Sequence, residues 1–204
     1  MSGIEEARRE VVSALDRLRS KGSTPILVAL DGPSGSGKST LASLVAEDTG
    51  GVLVQSDDFY SAHIPDSQWD IMSSAAKVDL CINWRRLRTE ALEPLLDGRK
   101  ARWKAFDVDN PLSGGTYPLQ EAWTECASSS IVVLDGVYSA RPELDDLLSL
   151  KVLVHVPSEV RNARLAEREE PSFLAAWHER WDAAEAYYFI NVCPCSSFDI
   201  VVRV

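Results

Sequence analysis

Two hydrophobic patterns alternate along this chain, one with the period of a helix and one of short unbroken apolar runs. Ile4, Ala7, Val11, Ala14, Leu15 and Leu18 recur three and four apart, which predicts an amphipathic helix over 4–20 that closes at Lys21-Gly22-Ser23. An apolar run predicts a strand over 25–31, a helix is expected over 37–48, and Gly50-Gly51 breaks the chain before a second strand at 52–56. Residues 61–82 have weak periodicity and receive no element. Beyond them the pattern predicts a helix over 83–96 ending at Asp97-Gly98, a short hairpin over 99–109, a turn-rich stretch from Asn110 to Pro118, and a helix around 118–127. Ile131-Val132-Val133-Leu134 reads as a strand buried on both faces. A helix over 141–149, a strand over 151–156, helices over 158–169 and 172–190, and a last strand over 198–202 complete the pattern.

Strands that alternate with helices imply an α/β fold, a mainly parallel sheet with helices on both faces. With 204 residues, and no repeat, low-complexity tract or linker, the chain is expected to form one domain over 1–204. Lys and Arg total 21 against 31 Asp and Glu, a formal charge of −10. That balance argues against a broad nucleic-acid or anionic-membrane surface, while a local basic pocket for a nucleotide stays compatible with it. No apolar run approaches the roughly 18–20 residues that cross a bilayer. Glu5, Glu6 and Glu10 break the layout of a signal peptide, so a cytoplasmic setting is expected. Cys81, Cys126, Cys193 and Cys195 lack the C-x-x-C spacing of zinc or redox sites and read as reduced thiols. A homo-oligomer is compatible with the sequence but not specified by it.

The chemistry begins at Gly32-Pro33-Ser34-Gly35-Ser36-Gly37-Lys38-Ser39, which spells G-x-x-x-x-G-K-[ST] between a predicted strand and a predicted helix. Glycines there let backbone N–H groups turn toward phosphate oxygens, and the helix aims its positive end at the same anion. Lys38 is placed to reach the β- and γ-phosphates, and the Ser39 hydroxyl to hold Mg²⁺, with Thr40 following. Asp57 and Asp58 stand at the C-terminal end of the second strand, the edge where open α/β sheets bind ligands. One of the pair could accept the proton of a hydroxyl that attacks a γ-phosphate; both could instead cap a following helix. Asp135 ends the apolar strand and precedes Gly136, the placement of a Walker B acid that holds Mg²⁺. Arg161, Arg164 and Arg168 share one helical face and could clamp the triphosphate as a lid over 158–170. Trp177, Trp181, Glu185 and Tyr188 read as a packed helical stripe, and His63 as a solvated loop residue.

Two nucleotide-binding classes fall away. Leu112-Ser113-Gly114-Gly115 imitates a transporter-ATPase signature, but Gly136 stands where those proteins place a glutamate. A guanine-reading N-K-x-D segment is absent from the chain, which argues against a GTPase switch.

GPSGSGKST at 32–40, SDDFY at 56–60, NWRRLRTEALEPLLDGRKARWKAFD at 83–107, IVVLDGVYSARPEL at 131–144 and SFDIVV at 197–202 together resemble the uridine kinase-like family of P-loop kinases, which includes phosphoribulokinase and pantothenate kinase. The resemblance implies the P-loop NTPase fold, a five-stranded parallel sheet, a helical lid, and ATP with Mg²⁺ as cofactors. It also implies transfer of the γ-phosphate to a small-molecule hydroxyl, with a nucleoside resembling uridine or cytidine as the expected acceptor. A sugar, vitamin precursor or antibiotic hydroxyl is the alternative, and a nucleotide-binding ATPase a further one. Aligned on Phe59-Tyr60, the family's base falls on Asp57, with Asp58 beside it. Tyr60 and Phe106 then fall on acceptor-pocket positions in a region spanning 57–110, with Trp103 and Asp79 as further acceptor candidates. Three departures stand out: Asp135 replaces the common glutamate, the ribose-binding F-D-H-P-D-A-F-D segment is missing, and no histidine follows Asp107. Asp79 or Asn83 could substitute for part of the missing segment.

Overall fold

The computed structural model describes residues 3–168 and 170–204. Met1, Ser2 and Glu169, which fall in the N-terminal and lid regions drawn from the sequence, lie outside the described residues. Helix α1 (Gly3–Ser20) leads into β1 (Ile26–Asp31), α2 (Lys38–Thr49) and β2 (Val52–Gln55). Two short helices, α3 (Asp66–Ile71) and α4 (Ser74–Leu80), occupy the stretch that carried no sequence assignment. Next comes α5 (Trp84–Arg86), which runs through a π-helical segment, Leu87–Leu92, into α6 (Glu93–Leu96). Strands β3 (Ala101–Trp103), β4 (Thr124–Cys126), β5 (Ile131–Asp135) and β6 (Leu150–His155) follow. Helices α7 (Ser158–Arg168) and α8 (Pro171–Tyr187) and strand β7 (Ile200–Arg203) end the chain.

The main sheet has five strands in the order β2-β5-β1-β6-β7, and every pairing in it is parallel. All six residues of β1 and all five of β5 are buried, because helices cover both faces. The period of two sorts their side chains. Ile26, Val28 and Leu30 join the core beneath α1 and α2, whereas Leu27 and Ala29 join the core shared with α4 to α6 and α8. From β1 the chain crosses to β2 on one side, and from β5 it crosses to β6 on the other. The crevice at the C-terminal ends of β1 and β5 is therefore a topological switch point, where such sheets bind ligands.

Three local expectations need correction. The hairpin expected within 99–109 is an antiparallel pair of β3 with β4, which matches Ala101 to Cys126 across a long excursion. That pairing also replaces the helix expected around 118–127. Trp123 in that stretch is half exposed beneath the Arg102 guanidinium, 3.9 Å from its ring centroid. The helix expected over 141–149 shrinks to one 3₁₀ turn, Pro142–Leu144. Its continuation is a chain of tight turns that delivers the Ser149 N–H to the Leu27 carbonyl at the edge of β1.

Candidate active site

The loop 32–37 leaves β1 and enters α2 through two left-handed glycines, Gly35 at φ 79° and Gly37 at φ 87°. A side chain at Gly35 would also press on Leu165 and Arg161 of α7, so that helix rests directly on the loop. Gly32, Ser34, Gly35, Ser36, Gly37, Lys38, Ser39 and Thr40 thus form one contiguous turn at the head of α2. Asp135 closes the site from the tip of β5 and is 4% exposed. Burial raises its carboxyl; the Lys38 charge and a hydrogen bond from Ser39 act against that, and nearby Asp57 adds to it. Beside it, Gly136 lets the tip of β2 approach, since a side chain there would collide with Ser56.

After β2, Ser56–Phe59 form a 3₁₀ turn in which Phe59 is fully buried. The threefold winding sends the two aspartates different ways. Asp57 is exposed into a cavity of about 410 Å³, shared with Ser34, Lys38 and Ser39. Asp58 turns inward and accepts a 2.7 Å hydrogen bond from Trp103 Nε1, and its carboxyl is raised by burial. Tyr60, Phe106 and Trp181 make an aromatic end of the cavity, and Tyr138 and Trp177 line it as well. Tyr60 and Phe106 are 4.8 Å apart between ring centroids, and Tyr60 lies 6.3 Å from Trp181 in edge contact. Burial pushes the Tyr60 phenol well above its ordinary range, so it stays protonated.

The arginines of α7 lie against the loop. Arg161 pairs with Glu185 at 3.0 Å, Arg164 donates to the Ser36 carbonyl at 3.3 Å, and Arg168 borders the cavity. A second cavity of about 400 Å³ opens on the other side of the loop, between Thr40, Arg164, Leu165, Val204 and the first turn of α1.

Not every candidate from the sequence comes to the cavity. Asp58 and Trp103 bond to each other outside its lining, and Asp79 is exposed and paired with buried Arg141 at 3.4 Å. Trp69 is buried behind Trp181, and Trp84 lies against the Arg141 guanidinium.

Three residues that the sequence did not offer as site residues also belong here. Asp31 is fully buried and accepts from Gly32 N–H (2.7 Å), Tyr138 N–H (3.0 Å), Ala140 N–H (2.9 Å) and the Tyr188 hydroxyl (2.7 Å). It ties the phosphate loop, the loop after β5 and the end of α8 together, and burial pushes its carboxyl up to about 6. Tyr138, held at φ 72°, forms part of the aromatic wall. Glu185 is the third; an acid in an otherwise apolar helical stripe was the available signal, because a buried carboxylate needs partners.

The residues fit a magnesium ion. Asp135 Oδ1 is buried without a hydrogen-bond partner in the structure, next to the Ser39 hydroxyl. One carboxylate and one hydroxyl are hard oxygen donors, and Mg²⁺ typically completes its shell with phosphate and water. Among the described residues no cluster of three His, Cys, Asp or Glu could hold a metal by itself, and no helix is long and apolar enough to cross a membrane.

No protein-family model matches the chain, and no curated protein matches it by sequence. Solved structures do. A possible uridine kinase from Bacillus stearothermophilus superposes with a TM-score of 0.67 at 17% identity, over 95% of this chain and 98% of that one. D-glycerate 3-kinase from Cryptococcus neoformans var. grubii superposes with a TM-score of 0.65 at 14% identity, over 100% of this chain and 96% of that one. The chain therefore shares the α/β fold of these two proteins, built on a five-stranded parallel sheet.

Proposed function

We propose that this protein is an ATP-dependent kinase that transfers the γ-phosphate to a hydroxyl of a nucleoside resembling uridine or cytidine. One observation carries the reading: a single cavity is lined by Lys38, Ser39 and Asp57 and also by five aromatic rings, of which Tyr60, Phe106 and Trp181 pack together. The loop 32–40 would hold the phosphates, and Ser39 and Asp135 the Mg²⁺ that neutralises charge on them. Asp57, exposed in the cavity and facing Lys38 and Ser39 across it, orients the acceptor hydroxyl and takes its proton. The lid arginines exclude water, which would otherwise intercept the phosphoryl group.

The lining favours a neutral ring-bearing acceptor. The cations on the lining are Lys38 in the loop and Arg168 of α7, beside the five aromatic rings. Stacking on Tyr60, Phe106 or Trp181 suits a flat base. ADP release measured with uridine, cytidine, sugars, pantothenate and glycerate tests this. The reading expects stimulation by the pyrimidine nucleosides; stimulation by glycerate alone would reassign the acceptor, and none by any acceptor would favour an ATPase.

A further inference from the structure

Helix α8 carries a carboxylate into the phosphate end of the site. Glu185 is 4% exposed, and an ionised acid that deep persists only against cations and donors. Its partners are the groups that a P-loop site offers to phosphate. Ser34 donates its N–H to both carboxylate oxygens at 3.3 Å and its hydroxyl to one of them at 2.6 Å. The Arg161 guanidinium reaches the other oxygen at 3.0 Å; burial raises the Glu185 carboxyl, and the Ser34 hydrogen bonds and the Lys38 and Arg161 charges act against that. A loop N–H, a lid arginine and the P-loop lysine are also what would receive a triphosphate.

We infer that Glu185 is an internal stand-in for phosphate. It holds Arg161 against the loop before nucleotide arrives, and the triphosphate displaces it. This rests on the reading that residues 32–40 hold the triphosphate. Arg161, whose side chain is 17% exposed, then exchanges one anion for another instead of travelling in from solvent. The exchange lowers affinity for ATP below what the cradle alone would give, and it couples the lid arginine to the arrival of nucleotide. A packing role makes the opposite demand, because losing the carboxylate would loosen the lid and weaken nucleotide binding.

Calorimetric titration of the full chain with ATP and Mg²⁺, and separately with inorganic triphosphate, tests the inference. Glu185→Gln is expected to bind both more tightly than the wild type, by about tenfold. The gain should be similar for the two, since the base takes no part in it. Glu185→Asp keeps the charge but withdraws it by one methylene, and should show a smaller gain in the same direction; it serves if the glutamine variant fails to fold. Arg161→Met should cost more affinity in the Glu185→Gln background than alone, because the guanidinium there has lost its internal anion. Unchanged or weaker binding by the folded Glu185 variants overturns the inference. No binding of ATP by the wild type would instead remove the P-loop reading beneath it.

Discussion

The two ends of the cavity are built in different ways. The phosphate end is one unbroken stretch, 32–40, whose key groups are backbone N–H donors set by glycines at φ 79° and 87°. The aromatic end gathers side chains from the β2 turn, the loop after β3, the loop after β5 and α8, elements far apart in the chain. A backbone cradle works for any nucleotide-dependent reaction, whereas a side-chain wall can be rebuilt ring by ring for a new acceptor. Damage at the first end should therefore abolish turnover, and damage at the second should change which acceptor is used.

The largest effect is expected at the phosphate end. Lys38→Met should lower kcat/KM for ATP by roughly 10²–10³-fold, since on the proposed function it deletes the charge that would meet the transferred phosphoryl group. Steady-state kinetics at saturating acceptor measure it, and a loss confined to acceptor KM would break the division between the ends.

Asp31 joins the two ends, so its loss should be felt as stability. Asp31→Asn keeps one acceptor oxygen and turns an NH₂ toward donors, which should cost about 2–5 kcal/mol. Chemical denaturation reads that value. The same group gives a pH signature. Its carboxyl is raised from 3.8 to about 6 in the folded state, so the native protein binds the extra proton between those values. Stability from this group is then greatest at low pH and falls by about 2–3 kcal/mol as pH rises toward 6. The stability gap between wild type and Asp31→Asn should accordingly narrow between about pH 4 and 6; a widening gap would contradict the assignment.

The smallest effect belongs to the aromatic wall. Trp181→Ala should raise acceptor KM by about tenfold while ATP KM stays unchanged, as expected for one lost stacking partner. An equal rise in both constants would mean that α8 serves the two ends as one unit.

The same contrast explains what was legible in the sequence. Phosphate recognition by backbone requires glycine, lysine and serine at fixed spacing, so the loop could be read directly, as could the strands that end in Asp57 and Asp135. Glu185 and Trp181 looked like helix packing because their significance lies in what α8 lies against. Asp31 looked like the end of a strand, yet its role comes from donors more than 100 residues away. Asp58 and Asp57 are neighbours in the same motif, and only the winding of a 3₁₀ turn separates the one in the cavity from the one bonded to Trp103. Residues 99–127 misled because β3 finds its partner across a long excursion, which no local pattern encodes.

The central claim is that Asp57 activates an acceptor held apart from the nucleotide cradle. Its most direct test measures, on one preparation of Asp57→Asn, both ATP affinity and acceptor-dependent ADP release. The account predicts wild-type affinity with turnover reduced by roughly 10²–10⁴-fold. Turnover that persists in Asp57→Asn and disappears in Asp58→Asn would contradict it.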